Sequence, residues 1–490
     1  MENRFEKFRR NTIGHHASYI TPYGKVQLIY ADWVASGRLY KPIEKRLLND
    51  FGPYVANTHT ETSETGKLMT NAYHYAHNII KSHVNAGKKD VIITAGSGMT
   101  TVINKFQRIL GLKTLDLDEY RVKTKENDRP VVFITHMEHH SNHTSWYETI
   151  CDVVVIPPDK NLMIDLNHLE DELKKYKNRK FKIGSFTAAS NVTGIETPYH
   201  KMAGIMHRHG GLCFVDFAMA APYVKIDMHP NGKKDEYLDA VMFSPHKFLG
   251  GPGTSGVLVF NSDLYHNLSP DQPGGGTVDW TNPWGEYRYV DDIELREDGG
   301  TPGFLQAIKT SLCIKLKGEM GIDNMRKREN QLLKTAFREL RKIPNLHILA
   351  DNAENRLGVI SFYIDGLHYN LVVRLLSDRF GVQVRGGCAC AGTYGHYLLH
   401  VSHEESRRIT QFIDKGDFSL KPGWVRLSLH PTMTDKDLEK TIEGIRQISL
   451  HGKQWASDYV YNRHVNEFSY KDKSFKGTVD FTKWFRPLDD

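Results

Sequence analysis

The chain has 490 residues, 40% of them hydrophobic and 25% charged, with a formal net charge of +6, the composition of a soluble globular protein with more than one structural unit. That charge is not gathered into a basic block, which excludes nucleic acid as the primary partner. The charged start MENRFEKFRR is not a secretory signal, and no apolar run approaches the roughly 20 residues of a membrane helix. The expected location is therefore the cytoplasm, away from membranes, and five cysteines, sparse and odd in number, suit its reducing conditions.

From about residue 90 the apolar runs DVIITAG, PVVFITH, CDVVVIP, FKIGSFT, GLCFVDF and DAVMFS alternate with helical or mixed segments. Runs rich in Val, Ile and Phe predict strands buried on both faces, and their alternation with helices predicts an α/β fold with a mainly parallel sheet. Six or seven strands fit before residue 260. After about residue 305 the amphipathic stretch IKTSLCIKLKGEMGIDNMRKRENQLLKTAFRELRKI predicts a long helix. It leads into a smaller α+β domain with the strand-like runs RLGVISFYI and GVQVRGG. The expected division is an N-terminal segment, 1–30, packing with the small domain, then a large domain, 31–300, a small domain, 301–450, and a polar, aromatic C-terminal extension, 451–490.

The predicted strand ends carry the informative residues, and ligands of parallel α/β sheets bind outside the carboxyl ends of strands. In AGSGMTTVIN the glycine-flanked Ser97 leads into a helix beginning near Met99, where free amides bind phosphate and Thr100 adds a hydroxyl. Such turns also occur for the turn alone. HMEHHSNH places four histidines, His136, His139, His140 and His143, within eight residues, a pattern open to metal ligation or to packing of an imidazole on a flat ring. Asn191 follows the run FKIGSFT, and Asp216 ends GLCFVDF. A buried Asp there is paired with a cation or capped by backbone amides.

FSPHKFLGGPGTSGVLVF puts Lys247 behind His246 and ahead of a run of glycines. A solvated surface turn is one reading; a lysine that forms a Schiff base with a carbonyl is the other. A pyridoxal phosphate site explains these pieces together. Lys247 holds the aldehyde, Asp216 keeps the pyridine nitrogen protonated, and the helix start at Ser97 to Thr100 holds the phosphate.

In order over most of residues 25–450, the chain resembles the class V aminotransferase family, fold type I, and within it the cysteine desulfurase and selenocysteine lyase group. The resemblance implies a large domain with a mainly parallel seven-stranded sheet and a smaller α+β domain. It implies pyridoxal 5'-phosphate as cofactor, with Lys247 of SPHK as the Schiff-base lysine and His139 of MEHHSN stacked on its ring. Ser244, His246, Met99 and Thr100 fall at the phosphate, Asp216 at the pyridinium and Asn191 near the ring hydroxyl. Thr277 of PGGGTV falls where the family reaches the phosphate of a neighbouring subunit, which implies a homodimer with shared sites. Arg426 of WVRLSLH resembles the arginine that grips the substrate carboxylate, with Arg385 and with Ser36 of YADWVASGR as further substrate contacts.

VRGGCACAGTYG places Cys390 at the position of the group's loop nucleophile. There it would attack the sulfur of a substrate cysteine, keep a persulfide and release alanine, passing sulfur to an acceptor protein. The nucleophile is the thiolate, a form that nearby cations favour. Cys388 is open to a resolving role or to packing, and the pair with His396 and His400 to a metal or cluster site. Met219 departs from the group, which carries glutamine or histidine beside the ring, and so keeps transamination or epimerisation of another amino acid as the alternative reaction. The connection 391–425 is longer than usual, and the C-terminal extension has no counterpart in the family.

Overall fold

The computed structural model describes residues 1–113, 125, 128–475, 477 and 479–486. Of the expected extension, 476, 478 and 487–490 lie outside the described residues. The chain divides into two compact units, one made of Val34–Asn191 and Ile195–Met325, the other of Met1–Trp33, Val192–Gly194 and Arg326–Asp490.

In the first unit the apolar runs form β1 (Asp90–Ala95), β2 (Val131–Thr135), β3 (Asp152–Ile156), β4 (Lys182–Thr187), β5 (Leu212–Asp216), β6 (Ala240–Phe243) and β7 (Gly256–Asn261). They build one seven-stranded sheet in the order β1-β7-β6-β5-β4-β2-β3. Every residue of β2, β4 and β6 is buried, which is why these runs are continuous rather than alternating in polarity. Strand β7 pairs antiparallel with both β1 and β6, and the pairs among β2 to β6 are parallel. Strands β1 to β6 therefore point their carboxyl ends at one edge of the sheet. Helix α1 (Met99–Ile109) follows β1, and α2 (His140–Tyr147) follows β2. Phe106, Val102, Phe214 and Leu258 pack where α1 lies on the sheet.

The single long helix predicted after residue 305 is two helices, Phe304–Met320 and Ile322–Leu340. Gly321 separates them at φ 77, a left-handed conformation that ends a helix and that glycine adopts without steric penalty. The boundary between the units falls in the second of these helices, after Met325.

In the second unit β8 (Leu346–Ile348), β9 (Val359–Ile364), β10 (Arg385–Gly387) and β11 (Trp424–Ser428) form an antiparallel sheet in the order β8-β9-β11-β10. Helices α3 (Tyr369–Phe380) and α4 (Asp435–Trp455) share its core through Leu375, Leu376, Ile442 and Ile445, which meet Ile360, Val425 and Leu427. The run GVQVRGG splits between two sheets. Val382–Gln383 pairs in parallel with Ile29–Tyr30, whereas Arg385–Gly387 joins the larger sheet. After α4 the chain forms a hairpin of Tyr459–Asn462 against Glu467–Tyr470.

Candidate active site

The shared direction of β1 to β6 brings the expected cofactor residues to one edge. Met99, first residue of α1, donates its amide to Ser244 Oγ at 2.8 Å, which joins the helix start to the loop after β6. Gly98 caps α1, and a Cβ there would stand 3.1 Å from Ser244 Oγ and 3.6 Å from the His246 ring, so glycine keeps the space before the helix open. Thr100 Oγ1 and Ser141 Oγ share a hydrogen bond of 2.6 Å. The Ser141 amide donates to His139 Nδ1 at 3.1 Å, making His139 the N-cap of α2. An accepting Nδ1 places the proton of the neutral ring on Nε2.

Lys247 ends the one-turn helix Pro245–Lys247 directly after β6, and Asp216 is the last residue of the neighbouring β5. Burial pushes the Asp216 carboxyl up to about 6; the Ala218 amide, donating at 2.7 Å, and the charge of Lys247 oppose the rise. The carboxylate and the lysine are thus within electrostatic reach, as an Asp aimed at a cation requires. Burial, then the Lys247 charge, lowers His246 to about 4, which leaves its imidazole neutral at pH 7. Ser36 Oγ lies 3.5 Å from His246 Nδ1, and the Gly37 amide donates to the His246 carbonyl at 2.9 Å. A Cβ on Gly37 would overlap the Phe248 carbonyl, so the approach of this segment to the lysine loop depends on glycine. Asn191 and Met219 are buried on the loops after β4 and β5.

Thr277 closes its own turn. It is fully buried, its hydroxyl donates to the Gly274 carbonyl at 2.7 Å, and it accepts from the Gly274 amide at 3.2 Å. What this turn exposes is the backbone of Pro273 to Gly276.

Sequence reasoning missed Glu138. Its carboxyl accepts from Thr135 Oγ1 at 2.7 Å, the Thr187 amide at 2.9 Å and Asn142 Nδ2 at 2.7 Å, tying the ends of β2 and β4 to the first turn of α2. Burial is the main cause that raises it to about 8. The available signal was Asn142 four residues after a Glu at a strand end, one helical turn away.

The histidines do not converge. His136 Nε2 lies 3.3 Å from the Leu162 carbonyl, and His143 Nε2 is 3.0 Å from the Tyr147 hydroxyl. His396 contacts the Gly392 carbonyl and Ser406 Oγ, each at 2.8 Å. Among the described residues no three His, Cys, Asp or Glu side chains gather in a metal-holding group.

The second unit holds the expected substrate arginines. The Ala31 amide donates to the Gln383 carbonyl at 2.9 Å, and the Ala31 carbonyl accepts from the Ser428 amide at 2.8 Å. This double tether sets the next residue, Asp32, against two strands. Arg385 and Arg426 stand opposite each other in the β10–β11 register. Asp32 takes both: Oδ1 accepts from Arg426 Nη2 at 3.0 Å and Oδ2 from Arg385 Nε at 3.2 Å. Asp32 lies in YADWVASGR, and sequence reasoning gave it no role. Burial holds the Arg426 guanidinium below its ordinary value; Asp32 and, more weakly, Cys390 oppose this, which places Cys390 in the field of Arg426.

Cys390 is exposed and Cys388 half-buried, whereas Cys151, Cys213 and Cys313 are buried. Ala389 and Cys390 are left-handed, at φ 49 and 55. Each such residue without glycine costs about 1–2 kcal/mol, strain that surrounding structure must hold in place.

The profile of the Aminotransferase class-V family matches residues 29–441. A probable cysteine desulfurase of Halalkalibacterium halodurans is 29% identical over 372 residues, covering 74% of this chain and 84% of the relative. One of Staphylococcus aureus is 28% identical, covering 74% and 83%. In fold the chain is similar to the cysteine desulfurase of Thermococcus onnurineus NA1, with a TM-score of 0.71, 21% identity and 91% and 98% of the two chains covered. The cysteine desulfurase CsdA of Escherichia coli gives 0.68 at 20% identity, with the same coverage. With a profile that spans both units and a seven-stranded sheet that brings Lys247 to Asp216, the chain belongs to the Aminotransferase class-V family.

Proposed function

We propose that the protein is a pyridoxal 5'-phosphate-dependent cysteine desulfurase. The observation that carries the cofactor is the buried Asp216 in the field of Lys247, beside a helix start lined by Met99, Thr100, Ser244 and the open space at Gly98. These residues fit the group. Asp216 would hold the pyridine nitrogen, the α1 start with Thr100, Ser244 and His246 the phosphate, Lys247 the aldehyde, and His139 the ring face. When bound, the cofactor draws off the electron pairs released as bonds at the amino acid's carbons break.

The chain's residues supply the rest. Arg426, buried and planar, orients a carboxylate bidentately. Lys247 would move a proton at the substrate α-carbon. Cys390, exposed in its strained turn, forms an S–S bond to the substrate sulfur as the C–S bond breaks. The electron pair of that bond goes to the carbon skeleton, which takes up protons and leaves as alanine, while the persulfide stays on Cys390. A homodimer, a sulfur-accepting partner protein and a cytoplasmic setting accompany this reading. Among the described residues no helix is long and apolar enough to cross a membrane.

One observation favours a different outcome at the same lysine. Met219 is buried, and by resemblance it stands where the desulfurase group carries a glutamine or histidine beside the ring, which suits transamination or epimerisation. Product analysis decides. Protein loaded with pyridoxal 5'-phosphate and given L-cysteine for a single turnover should yield alanine and a persulfide in equal amounts; an oxo acid or racemised amino acid without persulfide overturns the desulfurase reading. L-selenocysteine, tested in parallel, tells which chalcogen is preferred.

A further inference from the structure

The Cys390 loop is held at both ends by one turn of the C-terminal hairpin, all within the second unit. At the entry, Tyr369 opens α3 with its ring against the strands that flank the loop. A Cβ on Gly423, just before β11, would lie 2.6 Å from that ring, and one on Gly387, just before Cys388, 4.0 Å from it. Asn466, in the hairpin turn, donates from Nδ2 to the Tyr369 hydroxyl at 2.7 Å. Asn370 Nδ2 in turn donates to the Asn466 carbonyl at 2.6 Å. Asn466 is fixed by the Tyr461 hydroxyl, which donates to its Oδ1 at 2.9 Å, and Tyr461 packs on Phe468 and His368.

At the exit, the loop runs through Gly392–Leu398 into the helix His403–Asp414. The same hairpin turn grips the end of that helix. The Phe418 amide donates to the Arg463 carbonyl at 2.9 Å, His464 Nδ1 lies 2.8 Å from the Gly416 carbonyl, and Arg463 pairs with Asp417 at 3.3 Å. A second anchor keeps the hairpin on the body of the unit: Asp458 accepts from Tyr23 at 2.8 Å and from Arg379 at 3.0 Å.

We infer that the C-terminal hairpin is a positioning device for the Cys390 loop, with Asn466 and Tyr369 as positioning residues that govern attack by Cys390 and leave cofactor capture untouched. The inference rests on the desulfurase reading for the meaning of that attack. The left-handed pair Ala389 and Cys390 supplies the physical need, because a loop that stores strain relaxes once its supports are removed.

The test compares the full-length holoenzyme with Asn466→Ala, Tyr369→Phe and the double variant. Two readouts are used: the alkylation rate of Cys390 by iodoacetamide in resting protein, assigned by tandem mass spectrometry, and the single-turnover rate of Cys390 persulfide formation from L-cysteine. Each single variant should change the alkylation rate at least threefold and slow persulfide formation about tenfold, with the cofactor absorbance and the KM for L-cysteine within twofold of wild type. The double variant should be no worse than either single, since both remove one hydrogen bond. Tyr369→Phe keeps the ring and serves if Asn466→Ala fails to fold. Alkylation and persulfide rates within twofold of wild type in both variants overturn the inference, as does a lowered melting temperature with unchanged Cys390 reactivity. If the wild type forms no persulfide, the desulfurase reading fails alone, and the alkylation rates still decide whether the hairpin positions the loop.

Discussion

Asp32 Oδ1 accepts a hydrogen bond from Arg426 Nη2 at 3.0 Å, and the two residues are 4% and 3% exposed. An arginine read from the sequence as a substrate clamp thus already carries a carboxylate of its own chain. A buried charge that loses its partner costs far more than an exposed one, and this ranks the substitutions. Asp32→Ala takes a buried carboxylate from the Arg426 guanidinium and should lower unfolding free energy by about 3–5 kcal/mol. Arg385→Ala should cost under about 1 kcal/mol, because the Arg385 side chain is 52% exposed. Denaturant unfolding of both variants checks the order; equal costs would remove Asp32 from the role of internal counter-ion. Arg426→Ala should also lower kcat/KM on amino-acid substrates roughly 30- to 1000-fold, the loss of about 2–4 kcal/mol of transition-state binding.

Lys247→Ala should leave a folded protein that takes up pyridoxal 5'-phosphate without forming the covalent link. Purified wild type should be yellow and should keep its colour on dialysis, whereas the variant should lose it, because the helix start and Asp216 lie on other elements. An absorbance spectrum before and after dialysis, with circular dichroism for the fold, settles the matter. A wild type that stays colourless after incubation with the cofactor refutes the assignment.

The Asp216 carboxyl is pushed up to about 6 by burial from an ordinary value of 3.8, and if it holds the pyridine nitrogen as proposed, cofactor capture should be pH-dependent. Its folded value is raised, so the cost of ionising it in the fold, about 3 kcal/mol, is felt above that value and relieved as pH falls through it. A protonated pyridine nitrogen needs the ionised carboxylate. Affinity for pyridoxal 5'-phosphate should therefore fall as pH is lowered from 7 to 5, with most of the change near 6. Titrations in the Lys247→Ala background remove the titration of the covalent link; the midpoint there should move above that of the wild type, because the Lys247 charge that opposes the rise is gone, and Asp216→Asn added there should flatten the profile and weaken binding at pH 7. A flat profile with Asp216 intact would contradict its role.

Cys390→Ser should abolish persulfide formation from L-cysteine and leave the cofactor spectrum intact, because Lys247 and Asp216 belong to a different unit of the fold. Cys388→Ser should lose less than about tenfold in kcat. Cys388 is half-buried and Cys390 exposed, which is the physical basis for separating them. Mass spectrometry of the protein after one turnover reads both. Full activity on L-cysteine in Cys390→Ser would shift the case to transamination or epimerisation at Lys247.

By itself, the sequence determined whatever depends on local pattern. Apolar runs of Val, Ile and Phe between helical segments specified the buried strands, and Asp216 could be named at a strand end because parallel strands send their carboxyl ends to one edge, whereas Ser244 and His139 were named through the family resemblance. Contacts between distant segments needed the tertiary structure. Asp32 meets Arg426 only because Ile29–Tyr30 pairs with Val382–Gln383, a register that no local periodicity encodes. Gly321 could be seen in the sequence, but whether it kinks, ends or simply sits within a helix depends on the backbone conformation that packing selects, here φ 77. Thr277 was legible as a hydroxyl in a glycine turn, and only the folded turn decides that the hydroxyl donates to the Gly274 carbonyl. The hairpin Tyr459–Tyr470 had no period strong enough to read, since its residues alternate weakly and its stability comes from Tyr369, Asn370 and Asp417, far away in the chain. Local chemistry is written residue by residue; partners separated by hundreds of residues are chosen by the packing that excludes water between them.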